Sequence, residues 1–221
     1  KLVKESDLLN LIRISKSRHL GALLAKNYTL ADTLNYSMEV EKKNKKINLL
    51  TQQKAEEILE NCIKHDIKII SILSEGYPAD CKAIHNPPSI LYAKGNTELL
   101  KEVKFAIIGA RVATFESLIT AEKFAKELSQ FGFCIVSGFA HGVDTYACRG
   151  ALNYGTIQIL GSGVNVVYPK QNTKLYEEVL KENGLFLSEM EPNAPAVAEN
   201  FPLRNRIISS ISKGILLVQA S

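Results

Sequence analysis

The chain has 221 residues, of which 46% are hydrophobic and 23% are charged, as in an ordinary globular protein with one or two cores. Its formal net charge of +4 permits a polyanionic partner without requiring one. No apolar run approaches the roughly 20 residues that span a bilayer, and no signal peptide opens the chain, so we expect a cytoplasmic protein without a membrane partner. Because residue 1 is Lys rather than Met, we expect a chain trimmed from a longer one.

The cysteines and histidines lack the spacing of a metal site. The four cysteines, at positions 62, 81, 134 and 148, form no CxxC pair, and the four histidines form no HxxxH pair. Cys134 lies in an apolar strand pattern and Cys62 on an apolar helix face. We therefore expect buried, reduced thiols and no bound metal.

Residues 1–65 have the pattern of short helices. The clearest apolar period runs from about Thr51 to His65, where Ala55, Ile58 and Cys62 recur every three or four residues. The basic run Glu41–Lys46 lies before this helix, and we interpret it as a solvated loop rather than as a contact to nucleic acid. The sequence predicts a small all-helical domain over residues 1–65, whose core is marginal by itself.

Residues 66–103 have the pattern of a connector with short strands. Ile67–Leu73 and Ser89–Ala93 are apolar enough to form two strands. Gly76–Pro78 and Asn86–Pro88 carry the glycine and proline residues that mark turns. We therefore predict that this segment links the helical domain to a separate domain.

Residues 104–221 alternate between strand and helix patterns. Strands that are covered on both faces are short, apolar and rich in Ile, Val and Leu. Five segments fit this description: Phe105–Ile108, Cys134–Val136, Thr156–Leu160, Leu185–Leu187 and Ile215–Val218. Two of the intervening helices are predicted to stop at Gly132 and Gly184 in the left-handed conformation. The sequence predicts an α/β fold, with a Rossmann-like, doubly wound and mainly parallel sheet in this domain.

Glycines and polar side chains follow the predicted strands, at the edge where open α/β sheets bind ligands. Glycine lets the backbone approach a ligand closely, and N–H groups at helix starts then face that ligand. Cationic, hydroxyl and amide groups of this kind suit anionic oxygens better than acid–base chemistry. The segments concerned are Gly109–Arg111, Ser137–Asp144, Gly161–Gly163, Tyr168–Asn172 and Ser188–Glu189.

The segment Phe201–Arg206 places two guanidinium groups and an amide just after a proline, where we predict that a helix begins. A helix N-terminus favours anions, and a guanidinium group binds phosphate with two parallel hydrogen bonds. Arg204 and Arg206 are therefore predicted to bind phosphate. The alternative is that each arginine pairs with a nearby carboxylate.

The common nucleotide-binding loops are not matched. One glycine follows the first strand, so the G-x-G-x-x-G fingerprint is missing there, and Val166 stands where the third glycine would follow Gly161-Ser-Gly163. The phosphate loop G-x-x-x-x-G-K-[S/T] and the nucleophile elbow G-x-S-x-G are missing as well. We therefore expect no cofactor and no catalytic residue.

These segments together resemble the DNA-processing protein A family (DprA, also called Smf). The resemblance covers residues 65–221 in detail, and it covers the first 60 residues only in kind, through a helical domain of sterile-alpha-motif-like type. The matching motifs appear in the family's order: Tyr77-Pro78, Asn86–Tyr92, Gly109–Arg111, Ser137–Asp144, Gly150–Leu152, Gly161–Gly163, Tyr168-Pro169 with Asn172, Ser188-Glu189 and Phe201–Arg206.

The resemblance implies a single-stranded DNA-binding protein without catalytic activity, which helps to load RecA onto incoming DNA for homologous recombination during natural transformation (competence). It also implies a homodimer. The family continues beyond Ser221 into further strands, and that portion contributes to dimerisation and to the RecA contact in relatives. We therefore expect the homodimer and the RecA contact of the full-length protein rather than of this fragment.

The resemblance also implies which residues hold DNA. Arg111 would bind a backbone phosphate, and His141 replaces the usual Arg of the family, which weakens the positive field at neutral pH. Phe201 either offers its ring to a base or belongs to the core. Four phosphate contacts, by Arg111, Lys170 and the two arginines of the last helix, predict a log–log salt slope of about −3. The full predicted set is Arg111, Ser137, Gly138, His141, Gly161, Ser162, Gly163, Lys170, Asn172, Phe201, Arg204, Asn205 and Arg206.

The alternative function is that of a nucleotide-binding or phosphoribohydrolase-like Rossmann enzyme. Enzymes of that kind carry a Pro-Gly-Gly-x-Gly-Thr-x-x-Glu loop whose glutamate serves the glycosidic cleavage, and this sequence has no such run. Glu189 and Glu191 stand in a different setting. Release of free base from a nucleoside monophosphate distinguishes this alternative from DNA binding without turnover.

Overall fold

The structure, a computed structural model, describes residues 4–42 and 49–220. Most of the basic run Glu41–Lys46, predicted to be a solvated loop, lies outside the described residues. The chain divides into two compact units, one up to Tyr92 and one from Ala93. The division predicted at 65/66 and 103/104 stays a prediction. No helix in residues 4–42 or 49–220 combines the length and the apolar character needed to cross a membrane.

The first unit is mainly helical. The helices pack around buried side chains such as Leu11, Ile12 and Leu24. The last long helix begins where the hydroxyl oxygen of Thr51 accepts a hydrogen bond from the N–H of Lys54, at 3.2 Å, which satisfies a free donor of the first turn. The elements are α1 (Glu5–Ile14), α2 (Arg18–Ala25), α3 (Leu30–Lys42), α4 (Gln52–Lys64), β1 (Lys68–Ser71), α5 (Ala79–Lys82) and β2 (Ile90–Gly95), and the last strand runs across the unit boundary.

The second unit alternates between strands and helices. Its elements are β3 (Lys104–Ile108), α6 (Phe115–Gln130), β4 (Cys134–Ser137), α7 (Val143–Ala151), β5 (Thr156–Ile159), α8 (Thr173–Lys181), β6 (Leu185–Ser188), α9 (Asn200–Ile211) and β7 (Ile215–Leu217). The strands lie in the order β6-β5-β4-β3-β7, and every neighbouring pair is parallel. The predicted α/β fold with a mainly parallel, Rossmann-like sheet is therefore confirmed.

Local sequence signals explain where the helices end. After α6, Gly132 has a φ of 91°, and the N–H of Phe133 bonds to the carbonyl of Leu128, as predicted for a glycine stop. The same prediction was wrong for Gly184. The left-handed residue after α8 is Asn183, with a φ of 58°, while Gly184 is needed because a Cβ atom there would lie 2.5 Å from Val179 Cγ1.

The core of the second unit lies between α6, α7 and the sheet. Ile107 of β3 and Ile135 of β4 are fully buried against small residues of the two helices, among them Ala121 and Ala147. Because side chains alternate along a strand, the neighbouring positions on β3 and β7 face the other way, where α9 contacts β3 and β5. The four cysteines are buried and form no disulfide with one another, in line with the expectation of reduced thiols.

Close packing of α6 on α7 requires a glycine at position 150. A Cβ atom there would lie 2.1 Å from the carbonyl oxygen of Glu122. Gly150→Ala is expected to lower the free energy of unfolding by about 2 kcal/mol, even though alanine is favoured over glycine in a helix by about 1 kcal/mol. Urea unfolding measures the change. Gly76→Ala is the control, because a Cβ atom at Gly76 meets nothing within 4 Å. A Gly150 variant as stable as this control would contradict the packing.

Candidate nucleic-acid interface

A cavity of about 840 Å³ opens in the second unit beside α9, at the carboxyl ends of β3 and β7. Its floor is apolar, and its lining includes the side chains of Ile208, Ile215 and Leu217. Its polar lining comes from the loop after β3, from α7, from α9 and from the chain end, and comprises Arg111, Asp144, Arg204, Asn205, Arg206, Ser209 and Gln219. The structure therefore brings four of the predicted ligands, together with Phe201, to one cavity.

The loop after β3 places Arg111 at the rim of this cavity. Ala110 fixes the loop, because its N–H donates to the carbonyl of Gln219 at 2.8 Å and its carbonyl accepts from the N–H of Val143 at 3.2 Å. Gly142, with a φ of 77°, lets the two loops meet, since a Cβ atom there would lie 2.3 Å from the carbonyl oxygen of Ala110. The Arg111 side chain is left exposed above the fixed backbone.

Arg204 is buried, with 5% of its surface exposed. Its Nη1 donates to the backbone carbonyls of Gly138, at 2.6 Å, and of Ile159, and its Nε donates to Asn205 Oδ1 at 3.2 Å. These bonds tie α9 to the ends of β4 and β5. The predicted helix start just after Pro202 was wrong, because α9 begins at Asn200. Arg204 therefore lies in the second turn of the helix, and its donors are used inside the fold.

Asp144 carries a second buried charge close to Arg204. A Cβ atom added at Gly138 would lie 2.7 Å from both Arg204 Nη2 and Asp144 Oδ2. Burial lowers the pKa of the Arg204 guanidinium to about 10, while the Asp144 carboxylate pushes that pKa upward and Arg111 pushes it downward. Burial raises the pKa of Asp144, and the positive charge of Arg204 opposes this rise. The two groups thus stabilise each other in their charged forms.

Arg206 pairs with a carboxylate, as the alternative from the sequence had it. Its Nη2 lies 2.6 Å from Glu189 Oε1, and the two side chains are 20% and 7% exposed. Its Nη1 also donates to the carbonyl of Leu203 at 2.8 Å. Because Glu189 follows β6, this ion pair ties α9 to a third strand of the sheet and uses much of the guanidinium group.

The expectation that Ser137 and Gly138 line an open phosphate pocket was wrong. Ser137 is fully buried, and its hydroxyl donates to the carbonyl of Ile107 at 2.7 Å. The N–H of Gly138 is also buried, and it donates to Asp144 Oδ2 at 3.1 Å. Both donors are therefore used to join β3, β4 and α7, and neither faces solvent.

The glycine-rich loop after β5 is also structural. A Cβ atom at Gly161 would lie 2.8 Å from the ring of Phe201, and the N–H of Gly163 donates to a backbone carbonyl at 2.9 Å. Ser162 is buried, and its hydroxyl donates to the carbonyl four residues on. Asn172 is buried too, and its Nδ2 donates a hydrogen bond, at 3.2 Å, to a backbone carbonyl of the β4–α7 loop. These four predicted ligands therefore hold loops together.

Phe201 is placed between the two alternatives proposed for it, and its contact with a base stays a prediction. Its ring packs on Gly161 and is partly buried, yet it also lines the cavity. The guanidinium carbons of Arg111 and Arg204 lie 5.5 and 5.9 Å from its centroid, and the exposed ring of Tyr168 lies 5.3 Å from it. The result is an exposed cation and two aromatic rings side by side.

The remaining predicted ligands are exposed. His141 and Lys170 reach solvent but do not line the cavity, and Asn205 lines it while accepting a bond from its neighbour on α9. No role was predicted for Tyr168 or for Asp144, although both stand in the quoted motifs. An acidic residue in the first turn of a helix, next to a glycine-rich loop, was the available signal for Asp144.

Arg204 is expected to stabilise the fold far more than Arg111. Arg204→Ala leaves two carbonyls and the Asp144 carboxylate without their partner, which costs about 3–5 kcal/mol of unfolding free energy. Arg111→Ala removes an exposed side chain and changes the unfolding free energy by less than about 0.5 kcal/mol. Urea unfolding of both variants measures the difference, and equal midpoints would contradict the buried position of Arg204.

Comparison with known families matches residues 68–221 to the model of DNA recombination-mediator protein A. DNA processing protein DprA of Streptococcus pneumoniae is 38% identical over 152 residues, which are 68% of this chain and 53% of the relative. Protein Smf of Escherichia coli is 35% identical over 150 residues, which are 67% and 40% of the two chains. The chain thus spans about half the length of these relatives, or less.

Two solved structures share the fold. The structure of DNA processing protein A from Streptococcus pneumoniae has a TM-score of 0.73 at 26% identity, over 98% of this chain and 78% of that one. DNA processing protein A from Helicobacter pylori, solved to describe its single-stranded DNA binding mode, has a TM-score of 0.63 at 33% identity, over 70% of each chain. The matched residues contain the whole cavity and its arginines, and the chain belongs to the DNA recombination-mediator protein A family.

Proposed function

We propose that this chain binds single-stranded DNA at the rim formed by Arg111, Phe201 and Tyr168, and that it does so without catalysis. The observation that carries the proposal is the exposed guanidinium of Arg111, 5.5 Å from the centroid of the Phe201 ring at the mouth of the cavity. A cation beside an aromatic ring is the combination with which proteins hold a phosphate and its unstacked base.

Arg111 supplies the phosphate contact in this proposal. Its loop is fixed by backbone hydrogen bonds at Ala110, so little backbone entropy is lost when the side chain binds. Arg204, whose guanidinium carbon lies 5.9 Å from the Phe201 centroid, adds positive field, although most of its donors are used inside the fold. Lys170, which is exposed two residues after Tyr168, supplies a second phosphate contact.

The two aromatic rings supply the base contact. Phe201 is held in place by Gly161 beneath it, and Tyr168 is 46% exposed beside it. Stacking of one base on an aromatic side chain contributes about 1–3 kcal/mol and is tolerant of sequence. Because the base faces of a duplex are hidden in the stack, the site favours single strands over duplexes.

The proposal extends to the full-length protein through its family. DNA processing protein A from Helicobacter pylori was described with single-stranded DNA, which supports the same ligand here. The wider role that we propose is the loading of RecA onto incoming single strands, by a cytoplasmic homodimer, during natural transformation. That role concerns a whole protein, and the aligned residues span 53% of the Streptococcus pneumoniae relative.

Two phosphate contacts, by Arg111 and Lys170, replace the four that the sequence predicted. The expected log–log salt slope for a labelled oligothymidine is therefore about −1.4 rather than −3. Arg111→Ala is expected to reduce the slope by about 0.7 and to weaken binding equally for all sequences, because phosphate contacts carry no base code. Fluorescence anisotropy at a series of salt concentrations measures both quantities.

Lys174→Ala is the matched control, because this lysine is 89% exposed on α8 and pairs with its helix neighbour Glu178, at 3.8 Å. The salt slope and the affinity of the Lys174→Ala variant should equal those of the unmodified chain. An Arg111→Ala variant with the same salt slope as the unmodified chain would contradict the proposal. Equal affinity for a single strand and for a duplex of the same length would contradict it as well. Release of free base from a nucleoside monophosphate would replace binding by an enzymatic function.

A further inference from the structure

Asp144 is a buried acid in a site proposed to bind an anion. Only 6% of its surface is exposed, and it lines the same cavity as Arg111 and Arg204. Its Oδ2 accepts from the N–H of Gly138 at 3.1 Å and from the N–H of Ala140 at 3.4 Å. A negative charge in this position opposes an incoming phosphate. Phosphate binding therefore does not explain why an acid stands here.

We propose that Asp144 sets the charge of the DNA site: its carboxylate offsets the charge of Arg204 and orients the β4–α7 loop, so that Arg111 decides the affinity for phosphate. This inference rests on the proposed function. In it, Asp144 is a positioning residue that touches neither phosphate nor base.

The charged groups around Asp144 support this assignment. Arg204 of α9 faces it across Gly138, and burial alone would disfavour the charged form of both groups. Arg111, from the loop after β3, lowers the pKa of Arg204, so the two cations repel each other. Arg206 is paired with Glu189, as described above, which leaves Asp144 as the carboxylate in the lining of the cavity.

The Asp144→Asn variant distinguishes the effect of the Asp144 charge from the effect of its hydrogen bonds. Both N–H groups donate to the same carboxylate oxygen, so the single amide oxygen of asparagine accepts both of them. The variant therefore removes one negative charge while it keeps the loop. Two unit charges roughly 8 Å apart at a partly buried site interact strongly enough to change an affinity by roughly three- to tenfold.

The test is an anisotropy titration of labelled oligothymidine against the unmodified chain and Asp144→Asn. The expected result is three- to tenfold tighter binding by the variant at low salt, with the gain shrinking as salt screens it. Glu127→Gln makes the same change of charge elsewhere: α6 begins at Phe115, four residues after Arg111, and Glu127 lies about 18 Å further along that helix. It should leave the affinity within about twofold, since that distance exceeds the screening length.

Thr145→Val is the control for a merely structural role. Its hydroxyl donates to the carbonyl of Ala140 at 2.7 Å, so the variant loosens the same loop without a change of charge. If Asp144 only held the loop, Asp144→Asn, which keeps both hydrogen bonds, would bind DNA as the unmodified chain does, and Thr145→Val would bind it more weakly. Thermal unfolding of each variant, measured beside the titration, shows whether it is folded.

Should Asp144→Asn fail to fold, the pH dependence of binding decides. Burial raises the pKa of Asp144, so this acid gains its proton before exposed carboxylates do as the pH falls. In a His141→Gln background, which removes the histidine of the same loop, affinity should rise as the pH falls through the range above the ordinary carboxylate pKa of about 4. Flat affinity over that range would overturn the inference.

The outcomes separate the inference from the function on which it rests. If the unmodified chain does not bind oligothymidine, the proposed function fails and the inference fails with it. If the unmodified chain binds and the folded Asp144→Asn variant binds no more tightly, the inference alone is overturned. Tighter binding by Asp144→Asn together with unchanged binding by Glu127→Gln supports both.

Discussion

The second unit depends on one buried cation that satisfies the ends of two strands. The carbonyls of Gly138 and Ile159 stand where β4 and β5 end, and both accept from the guanidinium group of Arg204. A buried carbonyl without a donor costs free energy comparable to a lost hydrogen bond. The carboxylate of Asp144 offsets the charge that this solution brings into the interior. Helix α9 is thereby fixed to the sheet at its second turn.

The position of α9 determines which side chains stay exposed at the cavity, where a ligand can reach them. Once Arg204 and the Arg206–Glu189 ion pair hold the helix, Phe201 in its first turn lies over Gly161, and its partly exposed ring lines the cavity. Arg111 then stands beside that ring with its guanidinium exposed. The arginines are thus divided by burial into structural and ligand-facing groups. The same division explains why a chain with a formal charge of only +4 still has a cationic rim.

The fold was predictable because its signals are local, while the roles of the site residues were not. Apolar strands and the glycine stop at Gly132 follow from short-range periodicity and backbone conformation, and motif order indicated the family. The sequence also placed Arg111 directly after a strand, at the edge of the sheet where the cavity lies. It could not show that Ser137 and Arg204 turn inward, because that depends on which carbonyls in distant strands lack a donor. Nor did spacing show that Asp144, 60 residues before Arg204, would be its counter-charge.

Chemical modification of arginines tests most directly whether Arg204 is a buried structural group and Arg111 an exposed, ligand-facing group. The chain is treated with 2,3-butanedione with and without oligothymidine, and modified peptides are identified by mass spectrometry. We predict that Arg111 is modified in the free chain and protected by the oligonucleotide, and that Arg204 is unmodified in both samples. Modification of Arg204 in the folded free chain, with protection by oligothymidine, would contradict the account, because it would place that guanidinium on the DNA rather than inside the fold.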